Sequence, residues 1–334
     1  DRIVIREGRR RRQHGLRAVA IDATDIVVTD DVFGSATPNL KATQAKINAD
    51  LLPMLDRGIL PVLTGFIGAT PSGKPTTLGR GGSDYSASIF AVCTQAKEVW
   101  VWSDVDGIMS ADPHEVADAR VVQELSYPEM AELAYFGARI LHARMVAPLS
   151  ASGIPLRVKN VYKPQLVGTI IHSGARSVGV VKSITQIQGI GLSAAHAGSL
   201  TEVVALINAH LQAQIGSPSE VMIASQAASR SFLTSVIPTS AGPDAVSHLT
   251  TSLKRALDDS PTLVGWHVEP VSIVTAIGEG INASPRQAGH VISALGDMPL
   301  LAVSVGANGC SLSVVVRATD ADAALRQLHL ASVK

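Results

Sequence analysis

The stretch ILPVLTGFIGATPSGKPTTLGRGGSDYSASIFAVCTQAKEVWVWSD (59–104) sets the architecture of the first half of the chain. It opens with an unbroken apolar run, Ile59 to Phe66, which reads as a strand buried on both faces. A Gly-rich passage follows, then a helical pattern from Tyr85 to about Ala96, then a second strand, Glu98 to Asp104. Upstream, Leu40, Ile47, Leu51, Leu52 and Leu55 fall near one helix face, and Gly58 is placed to end that helix. Two further strand candidates precede it, at 17–21 and 25–30. Strands alternating with helices predict an α/β fold: a mostly parallel sheet sandwiched by helices.

Downstream, Ser126 followed three residues later by Glu129 predicts a capping box. The helix it opens is expected to run to Phe136 and stop at Gly137. A second helix is expected over 140–151 and a strand over 154–159. Beyond Gly174 the residues become smaller, and an internal repeat appears. ASQAASRSFLTSVI (224–237) is echoed by VSVGANGCSLSVVV (303–316), and the turn at 196–199 by GEGI (278–281). Each copy reads strand, turn, helix, strand, loop, strand, helix, with a linker around Asp258 to Glu269.

Composition narrows the function. The 334 residues are 46% hydrophobic and carry 28 Lys+Arg against 28 Asp+Glu. That suits about two domains with sizeable cores. It leaves no net basic footprint for nucleic acid. Two cysteines, Cys93 and Cys310, are too few for a disulfide framework and read as inert core residues. No apolar run approaches the roughly 20 residues of a membrane span. The expected location is the cytoplasm. The run Arg9 to Arg12 reads as a solvated helix face rather than an anion site.

The chemistry concentrates in two places. Between Thr76 and Tyr85, glycines flank Arg80, and Ser83 and Asp84 stand at the start of a helix. Glycines let a ligand approach the backbone, helix starts favour anions, and a guanidinium matches a carboxylate or phosphate. Asp84 could hold an ammonium group. A Gly-rich turn that only caps a helix fits the same spacing. The second cluster, Ser103, Asp104, Val105, Asp106 and Gly107, lies at a strand's C-terminal end, where open α/β sheets bind ligands. It could hold a ribose, phosphates or Mg2+. It is neither a Walker A loop nor a full EF-hand. His114 and His142 lie near these loops and read as structural or surface residues. Glu129 and Glu132 read as solvated helix charges.

Five stretches together resemble the aspartokinases of the amino-acid-kinase superfamily: TGFIGAT (64–70), TTLGRGGSDYSA (76–87), VWSDVDGIMSADP (101–113), AELAYFGARILH (131–142) and IPLRVKN (154–160). The repeat after Lys182 resembles their paired ACT domains. The resemblance implies a partial amino-acid-kinase catalytic domain over 1–174. Two α+β, ferredoxin-like ACT domains follow, over 175–262 and 263–334. It implies phosphorylation of the aspartate side-chain carboxylate by ATP, with Mg2+, and feedback by lysine or threonine. Carried over by position, Arg80, Gly81, Gly82, Ser83 and Asp84 would bind aspartate, with Arg80 and Asp84 catalytic and Asp1 standing where a Glu is usual. Ser103, Asp104, Met109, His114, Arg139 and Ile140 would contact the nucleotide. Ser225, Gln226 and Ser229 would form the effector loop. A homodimer or higher assembly through the ACT domains is implied as well. The family's opening Lys-Phe-Gly-Gly segment is absent from these residues, so the stretch as it stands is expected to turn over little or not at all. A non-catalytic amino-acid-binding regulator is the competing expectation.

Overall fold

The computed structural model describes residues 15–333 except 138–140, 142, 175–176, 195–199, 216–219, 229, 237–244, 262 and 264. Arg9 to Arg12, the 196–199 turn and His142 therefore lie outside the described residues. The chain divides into two compact units. The first comprises 1–108, 123–134 and 139–175. The second comprises 109–122, 135–138 and 176–334.

In the first unit, β1 (Ala18–Ile21) pairs in parallel with β2 (Leu60–Leu63). α1 (Leu40–Lys46) passes through a π-helical segment (Ile47–Leu51) into α2 (Leu52–Asp56). Ile47, Leu51, Leu78, Ile89 and Cys93 close a core there. Of the face read from the leucine spacing, Ile47 and Leu51 are buried and Leu52 is partly so, whereas Leu40 and Leu55 at its two ends are exposed. β3 (Ile67–Ala69) and β4 (Pro75–Thr77) form a hairpin that leads into α3 (Gly82–Thr94). β5 (Val99–Ser103) pairs in parallel with β7 (Leu156–Asn160), and β6 (Glu124–Ser126) in parallel with β8 (Thr169–His172). β7 and β8 run antiparallel, giving the order β5-β7-β8-β6. Trp100 and Trp102 project from β5 on its exposed face, 5.8 Å apart, with the Lys159 ammonium over both rings.

Two helices follow the expected order. α4 (Tyr127–Tyr135) starts at the capping box: the Ser126 N–H donates to Glu129 Oε2 at 2.7 Å, and the Glu129 N–H to Ser126 Oγ at 3.3 Å. Glu129 is fully buried, so the solvated reading of that residue is wrong. α5 (Ala143–Ser152) is the second helix. The strand expected over 25–30 is not one. Its place is taken by a 3-10 turn (Ala23–Asp25) and a buried irregular segment with single bridges at Val28 and Thr29.

The second unit holds one six-stranded antiparallel sheet, ordered β10-β11-β9-β12-β14-β13. The run β9 (Ser183–Ala194), α6 (Leu200–Ile215), β10 (Glu220–Ala227), β11 (Arg230–Val236), α7 (Ala245–Asp258) is repeated. Its second copy is β12 (Trp266–Ile277), α8 (Pro285–Ser293), β13 (Ala302–Val305), β14 (Ser311–Arg317), α9 (Ala321–Ser332). The two echoed stretches are the hairpins β10–β11 and β13–β14. β9 and β12 pair along their whole length and join the copies into one sheet. α6 and α7 bury Val203, Ile207, Leu211, Leu249 and Leu253 against one end of it. α8 and α9 cover the other end, and Ala111 and Val116 from the 109–122 segment join that core. Among the described residues no helix is long and apolar enough to cross a membrane.

Candidate functional site

Arg80 occupies a tight turn. Leu78, fully buried, anchors its start: its N–H donates to the Phe66 carbonyl at 2.8 Å. The Gly82 N–H closes the turn on the Gly79 carbonyl at 2.9 Å. Gly79 and Gly81 hold φ of +78° and +68°, which L side chains rarely adopt. Arg80 is the exposed residue between them. Gly81 is also the N-cap of α3, and it makes no side-chain capping bond. The N-cap position that the sequence spacing suggested for Ser83 or Asp84 is therefore taken by Gly81. Those two residues lie inside the first turn of α3, where a helix's N–H donors have no intrahelical acceptor. The positive end of α3 and the Arg80 guanidinium are thus offered by one short segment.

Phe66 is the residue the sequence reading passed over. It adopts φ +75°, a costly conformation for a bulky side chain. Its N–H donates to Ser86 Oγ at 2.8 Å, and Ser86 Oγ donates to the Gly82 carbonyl at 2.8 Å. A Cβ on Gly82 would lie 2.6 Å from the Phe66 ring, and one on Gly65 would lie 3.3 Å from Ser83. Bare backbone at 65 and 82 is what lets this ring and the helix start close on each other. Strain of this kind is held where surrounding contacts over-determine it, and it marks candidate sites.

The second cluster sits at the C-terminal ends of β5 and β7. Ser103 Oγ donates to Asp104 Oδ1 at 3.2 Å. The Asn160 amide donates to the Asp104 carbonyl at 3.1 Å and to Asp106 Oδ1 at 2.6 Å. Lys163 Nζ lies 2.9 Å from Asp106 Oδ2. Hydrogen bonds from Lys163 and then Asn160 hold the Asp106 carboxyl below the usual range. Asp106 is therefore engaged in bracing the loop, while Asp104 is exposed. Asn160 closes a stretch singled out in the sequence; nothing there marked Lys163.

The remaining expected residues are dispersed. Met109 and His114 fall in the second unit. The Met109 carbonyl accepts from Ser183 Oγ at 2.9 Å, and His114 is exposed with its N–H on Asp112 Oδ1. Ser225 and Gln226 lie on β10, opposite Phe232 and Ser231, and Ser225 is exposed. Asp1, Arg139, Ile140 and Ser229 lie outside the described residues. Cys93 and Cys310 are buried, as expected, and burial pushes the Cys93 thiol up.

Comparison with known proteins gives the family. The Amino acid kinase family is matched over residues 9–160. A bifunctional aspartokinase/homoserine dehydrogenase of Haemophilus influenzae is 30% identical over 81% of this chain, which spans 34% of that protein's length. The lysine-sensitive aspartokinase 3 of Escherichia coli is 30% identical over 95% of this chain and is itself covered over 70%. The crystal structure of E. coli aspartokinase III with lysine and aspartate superposes with a TM-score of 0.79 at 28% identity, covering 97% of this chain and 71% of that one. The same enzyme with aspartate and ADP gives 0.73, covering 98% and 72%. A shared fold and 30% identity over 95% of this chain converge: the chain belongs to the aspartokinase family.

Proposed function

We propose that this chain carries the acceptor and nucleotide elements of an aspartate kinase, which transfers the γ-phosphoryl group of ATP to the side-chain carboxylate of L-aspartate. The observation that carries the reading is the exposed Arg80 on a two-glycine turn at the glycine-capped start of α3. A planar guanidinium beside a helix N-terminus recognises a carboxylate by paired hydrogen bonds and dipole. Arg80, Gly81, Gly82 and Ser83 then hold the amino acid, joined by Asp1, and Asp84 takes its ammonium group. In the chemical step a side-chain carboxylate oxygen bonds to the γ-phosphorus. The bond to the β–γ bridging oxygen breaks, and ADP leaves with that oxygen. Such transfers need alignment and charge stabilisation rather than covalent help, so Arg80 and Asp84 act by positioning and by field.

In this reading Ser103 and Asp104 bind the nucleotide, with Met109, His114, Arg139 and Ile140. Among the described residues no cluster of three His, Cys, Asp or Glu forms a metal cage. The exposed carboxylate of Asp104, which accepts from Ser103 Oγ at one oxygen, suits Mg2+, which is held by substrate phosphates and one or two carboxylates. Bound there, Mg2+ supplies charge neutralisation on the phosphates. Residues 1–174 are the catalytic portion in this reading, and 175–262 and 263–334 are two ACT-like repeats. Ser225, Gln226 and Ser229 answer to lysine or threonine. The repeats mediate a homodimer or larger assembly, and the protein works in the cytoplasm. The ligands named for the E. coli enzyme support this assignment.

Calorimetric titration tests it. Aspartate and ATP should each bind the chain, and Arg80→Ala should weaken aspartate by roughly 10- to 100-fold, the value of a lost charged hydrogen-bond pair, with ATP within twofold. Equal losses for both ligands would count against the assignment. Binding of aspartate or an effector with no aspartate-dependent ADP release would favour the non-catalytic regulator.

A further inference from the structure

Arg144 stands in the first turn of α5, outside the Arg80 turn, yet its guanidinium reaches three parts of it. Nη1 donates to the Leu78 carbonyl. The guanidinium carbon lies 4.6 Å from the centre of the Tyr85 ring, in the first turns of α3. Nη1 would lie only 3.3 Å from a Cβ placed on Gly79. One planar cation therefore spans the residue before the turn, the turn's first glycine and the helix that follows it.

The turn needs such support. Two of its residues are glycines in the left-handed region, and a single backbone bond, Gly82 N–H to the Gly79 carbonyl, closes it. Glycine samples this region and its mirror with little preference, so the segment by itself would spread over many conformers. Leu78 fixes the entry by burial and by its bond to Phe66. Its carbonyl, at the point where the chain enters the turn, is held by Arg144. A lysine could reach the carbonyl or lie over the ring. It lacks the flat fork that does both while lying against a glycine.

We propose that Arg144 is a positioning residue for Arg80: it locks Leu78 to Gly82 in the conformation that presents the Arg80 guanidinium to an amino-acid carboxylate. The carboxylate part rests on the acceptor-site reading above. The locking part rests on the contacts alone.

The experiment compares wild type with Arg144→Met, Arg144→Lys and Tyr85→Leu. Hydrogen exchange of the peptide spanning 78–85 reads the turn without any ligand. Arg144→Met should speed exchange at Leu78 and Gly82 about tenfold, as expected for losing a charged hydrogen bond and a cation–π contact. Arg144→Lys and Tyr85→Leu should fall between, so the result survives a poorly folding methionine variant. Calorimetry then reads the site. Aspartate should bind about tenfold more weakly to Arg144→Met, ATP should be unchanged, and Arg144→Lys should recover part of the loss. Unchanged exchange at 78–82 overturns the locking role. Equal weakening of ATP and aspartate makes Arg144 a general structural residue and overturns positioning. Faster exchange beside a wild type that binds no aspartate overturns the acceptor assignment and leaves the locking role standing.

Discussion

His329 on α9 is nearly buried, with Nε2 2.8 Å from Ser110 Oγ. That Oγ accepts the Arg120 N–H at 3.0 Å, so the hydroxyl hydrogen is best used on Nε2, and the ring is neutral. Burial, then the charge of Arg120, lowers the imidazole's pKa, with Asp118 opposing. Above the unfolded value of about 6.5 the ring is neutral folded and unfolded, and its contact is fully present. As pH falls below that, the unfolded chain takes the proton first, so stability is lost until the lower folded value is reached. Urea midpoints for the second unit should therefore fall as pH drops below about 6.5, and His329→Gln should shallow that fall. His210, also lowered by burial, leaves a remainder of the same sign. A midpoint that rises on acidification, or an unaltered slope in the variant, contradicts this account. Neither this histidine nor Phe66 was legible in the sequence. A left-handed phenylalanine and a neutral imidazole are products of packing across long separations, whereas Arg80 among glycines announces itself locally.

At the scale of elements, the misread strand at 25–30 is instructive. Ile26, Val27 and Val28 are buried, so their apolar character is genuine, but it serves an irregular segment. The sheet-like bonding stops at single bridges: the Thr29 N–H donates to the Ala69 carbonyl at 2.8 Å in the Val28–Ala69 bridge, while the Val28 N–H donates to a side chain, Thr43 Oγ1 on α1, at 3.0 Å. Apolar runs alone do not separate the two cases. Thr43→Val, isosteric but lacking the acceptor, should strand the Val28 N–H and cost about 1–3 kcal/mol in denaturant unfolding, while Thr43→Ser should be milder. A neutral Thr43→Val would mean another acceptor serves that amide. The capping box at Ser126 and Glu129, by contrast, was readable because both partners lie within one turn.

For the molecule as a whole, the division into units does not follow chain order. The internal repeat was visible because each copy reuses the same hairpin. Nothing local could show that 109–122 belongs with the second unit. There the Ile184 N–H donates to the Ser110 carbonyl at 2.8 Å, and Ala111 and Val116 are buried with Ile184, Val274 and Leu325. A substitution between β5 and β6 should thus be felt in the distant sheet. Val116→Ala should cost about 2 kcal/mol. Native-state hydrogen exchange should show the loss in β12 and α9 rather than in α3 and β7. The reverse pattern would assign the segment to the first unit.

The three tryptophans are divided by the same partition. Trp100 and Trp102 stand exposed on β5 in the first unit, and Trp266 is shielded on β12 in the second. Iodide should quench the first two indoles and spare the third, whose emission should lie further to the blue. Each half of the molecule thus carries its own intrinsic optical reporter, and the melting of either can be followed in the unlabelled protein.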